Sequence, residues 1–134
     1  WKNLIAIYFH LAQGSNGAPL ILAPIGKGCM KPIAKNLFLC QEKAARLANN
    51  WNHMSSHQSR DEDKEQFGGA VRMGGLIFSA SGLPELGDEV VMLTTGVYYC
   101  GTHGSLAVAR EIAAKSGNPY WPTMFQYLSA EVDP

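Results

Sequence analysis

The stretch from Gly74 to Val91, GGLIFSASGLPELGDEVV, constrains the fold more than any other part of the chain. An apolar run, Leu76-Ile77-Phe78, passes through Ser79-Ala80-Ser81 into Gly82. Pro84 then opens a segment with Glu85, Asp88 and Glu89 in its first turns. Apolar run, small-residue turn, then proline followed by acids spells strand, tight turn, helix. The free N–H groups at such a helix start face whatever lies at that edge of the sheet. The three acids already answer the helix dipole there, so the segment argues for architecture more than for a bound anion.

The rest of the chain reads around this unit. Leu4 to Leu11 is a strand apolar on both faces, as a central strand is. After the turn cluster Gln13 to Gly17, Pro19 to Ile25 is a second strand, and the two form a hairpin. Pro24 pushes the second strand toward an edge or a bulge. Lys35 to Trp51 has helical spacing, with Leu37, Cys40, Ala44, Leu47, Ala48 and Trp51 on one stripe and Gln41, Glu42, Lys43, Arg46 and Asn49 off it. Asn52 to Gln66, with its run of mixed charges, reads as solvated loop or a frayed helical turn. Phe67 to Ser81 returns to strand, broken by Gly68-Gly69 and Gly74-Gly75. The helix after Pro84 carries the stripe Leu86, Val90, Leu93 and Val97. Ser105 caps a helix from Leu106 to Lys115, which Gly117 closes. The rigid turn Pro119 to Pro122 leads to a short helix around Met124 to Leu128. The expectation is one α/β domain over residues 1–134.

Composition narrows the function classes. With 11 Lys+Arg against 11 Asp+Glu, the chain has no electrostatic footprint for nucleic acid or for an anionic membrane. Its longest apolar runs are too short to span a bilayer. Cys29, Cys40 and Cys100 are an odd number without a signal peptide, which points to free thiols and a cytoplasmic location. Only 16% of residues are charged, a surface thin enough for part of it to be buried in a homo-oligomer. Tyr98, Tyr99, Tyr120, Trp121, Met124 and Phe125 are the candidate self-association patch.

Three constellations could carry chemistry. Cys100 and His103, with His53 and His57, have the gaps seen in zinc sites. One pair stands at a helix end and the other in a polar loop, so no metal site is expected. Cys40 and Cys100 fall on apolar helix stripes, where a thiol is an inert small hydrophobe. No G-x-S-x-G, phosphate-binding loop or G-x-G-x-x-G occurs. The third constellation is a ligand cleft. Gly68-Gly69 and Gly74-Gly75 allow close backbone approach, the helix after Pro84 offers N–H groups, and Lys43 supplies a cation. Such a cleft could take an anionic small molecule, or a haem with propionates near Lys43 or Arg72 and a histidine near the iron.

The order of elements resembles a family. A strand hairpin is followed by a helix containing Gln41-Glu42-Lys43-Ala44-Ala45, then by a glycine pair before a strand. A strand end, Phe78-Ser79-Ala80-Ser81-Gly82, precedes a helix with an early Asp88-Glu89. The pattern is similar to the GlcG/HbpS-type domain, which recurs as the C-terminal domain of PduO-type proteins, and it covers roughly residues 4–97. The resemblance implies a profilin-like α/β fold, a central antiparallel sheet with helices packed on it, and assembly into oligomers. It also implies a link to haem or cobalamin-related handling. Lys43, Gly68, Gly69, Gly82 and Asp88 match its pattern, and no histidine is assigned to iron.

Together these observations describe a small-molecule-binding or assembly module with no catalytic residue assigned. Its ligand contacts are Lys43, Gly68, Gly69, Arg72, Gly82 and Asp88. The alternatives are a small enzyme with an acid-base pair among His53, His57, Asp88 and Glu89, and a protein interaction scaffold.

Overall fold

The computed structural model describes residues 7–26 and 34–132. The expected strand start at Leu4 to Ala6, Cys29 and the His103 side chain lie outside this description. Among the described residues, β1 (Ile7–Gln13), β2 (Pro19–Ile25), β3 (Ala70–Met73) and β4 (Leu76–Ser81) form one sheet in the order β2-β1-β4-β3. Every neighbouring pair is antiparallel. Helices α1 (Ala34–Asn49), α2 (Glu85–Cys100), α3 (Thr102–Ser116) and α4 (Trp121–Val132) pack on the sheet and on one another. The fold is thus mixed α/β, an antiparallel sheet carrying helices.

Alternation along the strands divides the side chains between two cores. Ala12, Ala70 and Ile77 meet Ala44 and Leu47 of α1. Leu11, Val71, Phe78 and Ala80 face the other way, into a larger core with Val90, Leu93 and Val97 of α2, Ile112 of α3 and Leu128 of α4. β1 and β4 are therefore buried on both faces, as the unbroken apolar runs of central strands require. β2 is the contrary case. It is an edge strand whose Leu20, Ile21, Leu22 and Ile25 are between 41% and 52% exposed. Its Pro24 stands opposite Tyr8, where it has no N–H to donate.

Local chemistry explains the connections. Met73 pairs with Leu76 across Gly74 and Gly75, whose φ angles are +59° and +77°. A two-residue hairpin of this kind needs positive φ at both positions, which two glycines supply without strain. Gly117, at φ +66°, ends α3 by donating its N–H to the carbonyls of Ala113 and Ala114. This is the left-handed helix stop its position implied.

Four expectations need correction. α1 contains no Gly, Pro or β-branched residue and forms a regular helix, but its buried face is Leu39, Cys40, Lys43, Ala44 and Leu47. Lys43 is therefore on the buried stripe. Trp51 is 83% exposed, because the helix ends at Asn49 and the chain turns away before it. The segment after α1 takes the helical-turn alternative rather than the plain loop. It forms two short 3-10 turns, Ser56–Ser59 and Glu62–Lys64, the first under a capping box made by Ser55 and Gln58. Arg46 pins it by donating to the carbonyls of Ser56 (2.7 Å) and Phe67 (2.5 Å). α3 starts at Thr102, so Ser105 lies inside the helix and caps nothing, and α4 begins at Trp121, earlier than Met124.

Candidate functional site

Three elements converge at the C-terminal end of β4. α1 presents Lys43 from above the sheet, β4 ends at Ser81, and α2 brings Asp88 round one turn after Glu85. The Lys43 Nζ donates to the Ala80 carbonyl at 2.8 Å and to Asp88 Oδ2 at 3.1 Å. Both side chains of this ion pair are 2% exposed. The other carboxylate oxygen of Asp88 accepts the Leu83 N–H at 2.9 Å, so one residue closes the turn and holds the lysine.

Gly69 explains why this packing is possible. A Cβ built there would stand 2.8 Å from Lys43 Nζ and 2.9 Å from Asp88 Cβ, and its φ of +125° is one that side chains rarely adopt. The glycine removes the one atom that would displace the ion pair. Gly68 serves the neighbouring charge, its N–H donating to Glu85 Oε1 at 3.1 Å.

The two carboxyl groups of this region are tuned in opposite directions. Burial pushes Asp88 up from 3.8 to about 6, against the pull of the Lys43 ammonium and of the Leu83 and Gly82 amides. Burial also works to raise Glu85, but there hydrogen bonds from Arg60 and the Gly68 amide outweigh it and leave the carboxyl below its ordinary value. Arg60 grips Glu85 through two hydrogen bonds, 2.7 and 2.8 Å.

Over the ion pair lies a cleft of about 260 Å³. Lys43, Asp88, Gly82 and Ser81 line its inner part, Leu39, Phe67 and Leu83 supply apolar wall, and Asn36 and Glu85 complete it. Ser81 is only 3% exposed, yet among the described residues its hydroxyl has no hydrogen-bond partner. The Asn36 carboxamide is likewise without one. Lys43 uses two of its three N–H bonds on Ala80 and Asp88. Unspent hydrogen-bonding capacity in a concave, partly apolar place is what a ligand site offers.

The six residues expected at the site are thus distributed unequally. Lys43, Gly82 and Asp88 line the cleft, while Gly68 and Gly69 pack behind its charged groups. Arg72 is elsewhere. Its guanidinium donates to the carbonyls of Gly14, Leu47 (2.6 Å) and His53 (3.1 Å), tying the β1–β2 turn to the end of α1. A fork so occupied by backbone oxygens has nothing left for a ligand. Ser81, Asn36 and Arg60 were not legible as site residues, since their types are ordinary and only their surroundings single them out.

Other chemistry fits less well. No cleft-lining residue is a His, Cys, Met or Tyr that could ligate haem iron, two carboxylates oppose propionates, and the volume is below the usual range for drug-sized ligands. His10 is buried under α1, opposite Ser79, and does not line the cleft. The residues do not fit haem. Among the described residues no group of three or more His, Cys, Asp and Glu could hold a metal ion. Cys40 is a sealed thiol, which burial pushes up to about 11. Asp88 and Glu89 do not form an acid-base pair, because they leave α2 about 100° apart and are held by separate sets of partners. Glu89 is wholly buried among Ser55, Ser116 and Asn118.

The aromatic patch is divided too. Tyr98 and Tyr99 are exposed, whereas Trp121 belongs to the core and Met124 and Phe125 pack against it. Among the described residues no helix is long and apolar enough to cross a membrane. No protein-family model, no curated protein and no solved structure matches the chain.

Proposed function

We propose that the protein is a small-molecule-binding module with a GlcG/HbpS-like domain, and that its ligand occupies the cleft over Lys43 and Asp88. The observation that carries this reading is the buried ion pair on the cleft floor. Taking two charges out of water costs several kcal/mol each before their attraction offsets it, and apolar residues of similar volume stabilise a fold at least as well. A pair kept at the base of a cleft, beside polar groups with no partners, is better explained by a ligand than by stability. An antiparallel sheet with helices, and the meeting of Lys43, Gly82 and Asp88 in one place, support the family likeness.

The module also assembles with copies of itself, a reading supported by the exposed aliphatics of β2 and by Tyr98 and Tyr99, 57% and 66% exposed on α2.

A fragment library observed by ligand-detected NMR tests the cleft. The variant Asn36→Trp adds bulk at the cleft wall without removing any hydrogen bond. Hits are expected to disappear in it while the circular dichroism spectrum stays unchanged, and hits that persist undiminished overturn the reading. Light scattering tests assembly, where a monomer mass at high protein concentration is the adverse result.

A further inference from the structure

We propose that the cleft selects a compact, uncharged molecule bearing a carbonyl-type oxygen, such as a primary amide or a ketone on a small hydrocarbon or aromatic body. This inference rests on the reading of the cleft as a ligand site and adds the class of ligand to it.

Charge balance comes first. Lys43 is matched by Asp88 at 3.1 Å, and Glu85 is matched by Arg60 at 2.7 Å. Each charge at or beside the cleft thus has its opposite in contact. An anion arriving here meets two carboxylates already in place, and the two cations beside them, Lys43 and Arg60, are spoken for. A cation meets the Lys43 ammonium, and the carboxylate oxygens it would need are taken by Lys43, Arg60 and backbone amides. Either ion would surrender its hydration without a partner to replace it, a loss that a neutral polar molecule largely avoids.

The unspent groups then describe the ligand. The Ser81 hydroxyl can donate or accept, the third N–H of Lys43 can only donate, and the Asn36 carboxamide can do both. Two donors on the inner side ask for an acceptor oxygen. A carboxamide can in turn accept an N–H or O–H from the ligand. Leu39, Phe67 and Leu83 provide the apolar contact for the body that carries these groups. At about 30 Å³ per water-sized unit, 260 Å³ has room for roughly nine non-hydrogen atoms. Gly82, at φ +147°, adopts a backbone conformation that residues with side chains rarely take.

Benzamide, benzoate and benzylammonium share a body of this size and differ in charge, so they make the test. Each is titrated at pH 7.5 into the ¹⁵N-labelled protein, with amide shifts followed by NMR. Benzamide is expected to move the amides of Lys43, Gly82 and Leu83, with both ions binding at least roughly tenfold more weakly. Ser81→Ala is expected to weaken benzamide by roughly five- to tenfold while leaving the remaining spectrum intact. If benzoate or benzylammonium binds as tightly as benzamide, the charge inference falls and the cleft survives as a binding site. If none of the three moves the cleft amides at tens of millimolar, the ligand-site reading falls with it. An unchanged benzamide affinity in Ser81→Ala overturns the part assigned to the hydroxyl.

Discussion

Asp88 and Glu89 are neighbours in sequence and almost equally buried, yet they serve opposite ends. Asp88 faces α1, where it holds a cation and borders a cleft whose polar groups are not all used. Glu89 leaves α2 about 100° away from it and accepts from Ser55 (2.6 Å), Ser116 (2.5 Å) and Asn118 (2.9 Å). No cation is among its partners in the described residues. The Glu89 knot joins the first 3-10 turn, the end of α3 and the loop after it, and it leaves no opening. A carboxylate whose every partner is fixed is part of the frame. One bordered by idle donors has work left for something outside the chain.

Removing Glu89 should do the most damage. Glu89→Ala takes away the acceptor shared by Ser55, Ser116 and Asn118 and leaves a hole in the core, and urea unfolding is expected to show a loss of about 3 kcal/mol or more. A loss below about 1 kcal/mol would erase the distinction between frame and site.

The ion pair is expected to be replaceable. Lys43→Met alone removes the charge that holds the buried Asp88 carboxyl down, so that carboxyl keeps its proton to higher pH than in the parent, and the lost partner is expected to cost about 3 kcal/mol. The double variant Lys43→Met with Asp88→Asn keeps an acceptor for the Leu83 amide and needs no charge balance. Its stability is expected within about 1 kcal/mol of the parent, with fragment binding lost. A double variant as unstable as the single one would make the pair structural after all.

The smallest effect is in pH dependence. The carboxyl of Asp88 titrates near 6 in the folded chain and near 3.8 unfolded. Between these values the folded state holds a proton that the unfolded state has released, so the stability it contributes falls as pH rises through that window and levels off above it. Measured against Asp88→Asn, the parent is expected to lose on the order of 2 kcal/mol between pH 4 and pH 6.5. Glu85, held below its ordinary value, acts in the other sense and only at lower pH. A difference between the two proteins that does not vary with pH would show that Asp88 stays ionised throughout.

Much of the architecture was readable because it rests on local pattern. Alternating apolar runs, the Gly74-Gly75 turn, the Gly117 stop and the strand-turn-helix unit each follow from short stretches of residues. The site was readable only in part. A stripe drawn through Leu37, Cys40, Ala44, Leu47, Ala48 and Trp51 leaves Lys43 off the buried face. Yet Lys43 stands four residues after Leu39 and four before Leu47, a spacing that places it squarely inward. Arg72 looked like an available cation because its type is usually exposed, whereas distant carbonyls from three segments fill its fork. Ser81 and Asn36 matter through what they lack, and no sequence pattern records a missing hydrogen bond. The Glu89 knot joins residues up to 34 positions apart, beyond the reach of any local rule.

The bare edge strand has a consequence for how safely the protein can be concentrated. β2 offers aliphatic side chains on both faces and, among the described residues, an unpaired backbone edge, the combination that templates edge-to-edge association. Pro19 and Pro24 leave only Leu20 to Ala23 uninterrupted between them. That run is shorter than the six or so residues from which a steric zipper is built. The two prolines stand where gatekeepers are placed, one at the start of the strand and one near its end.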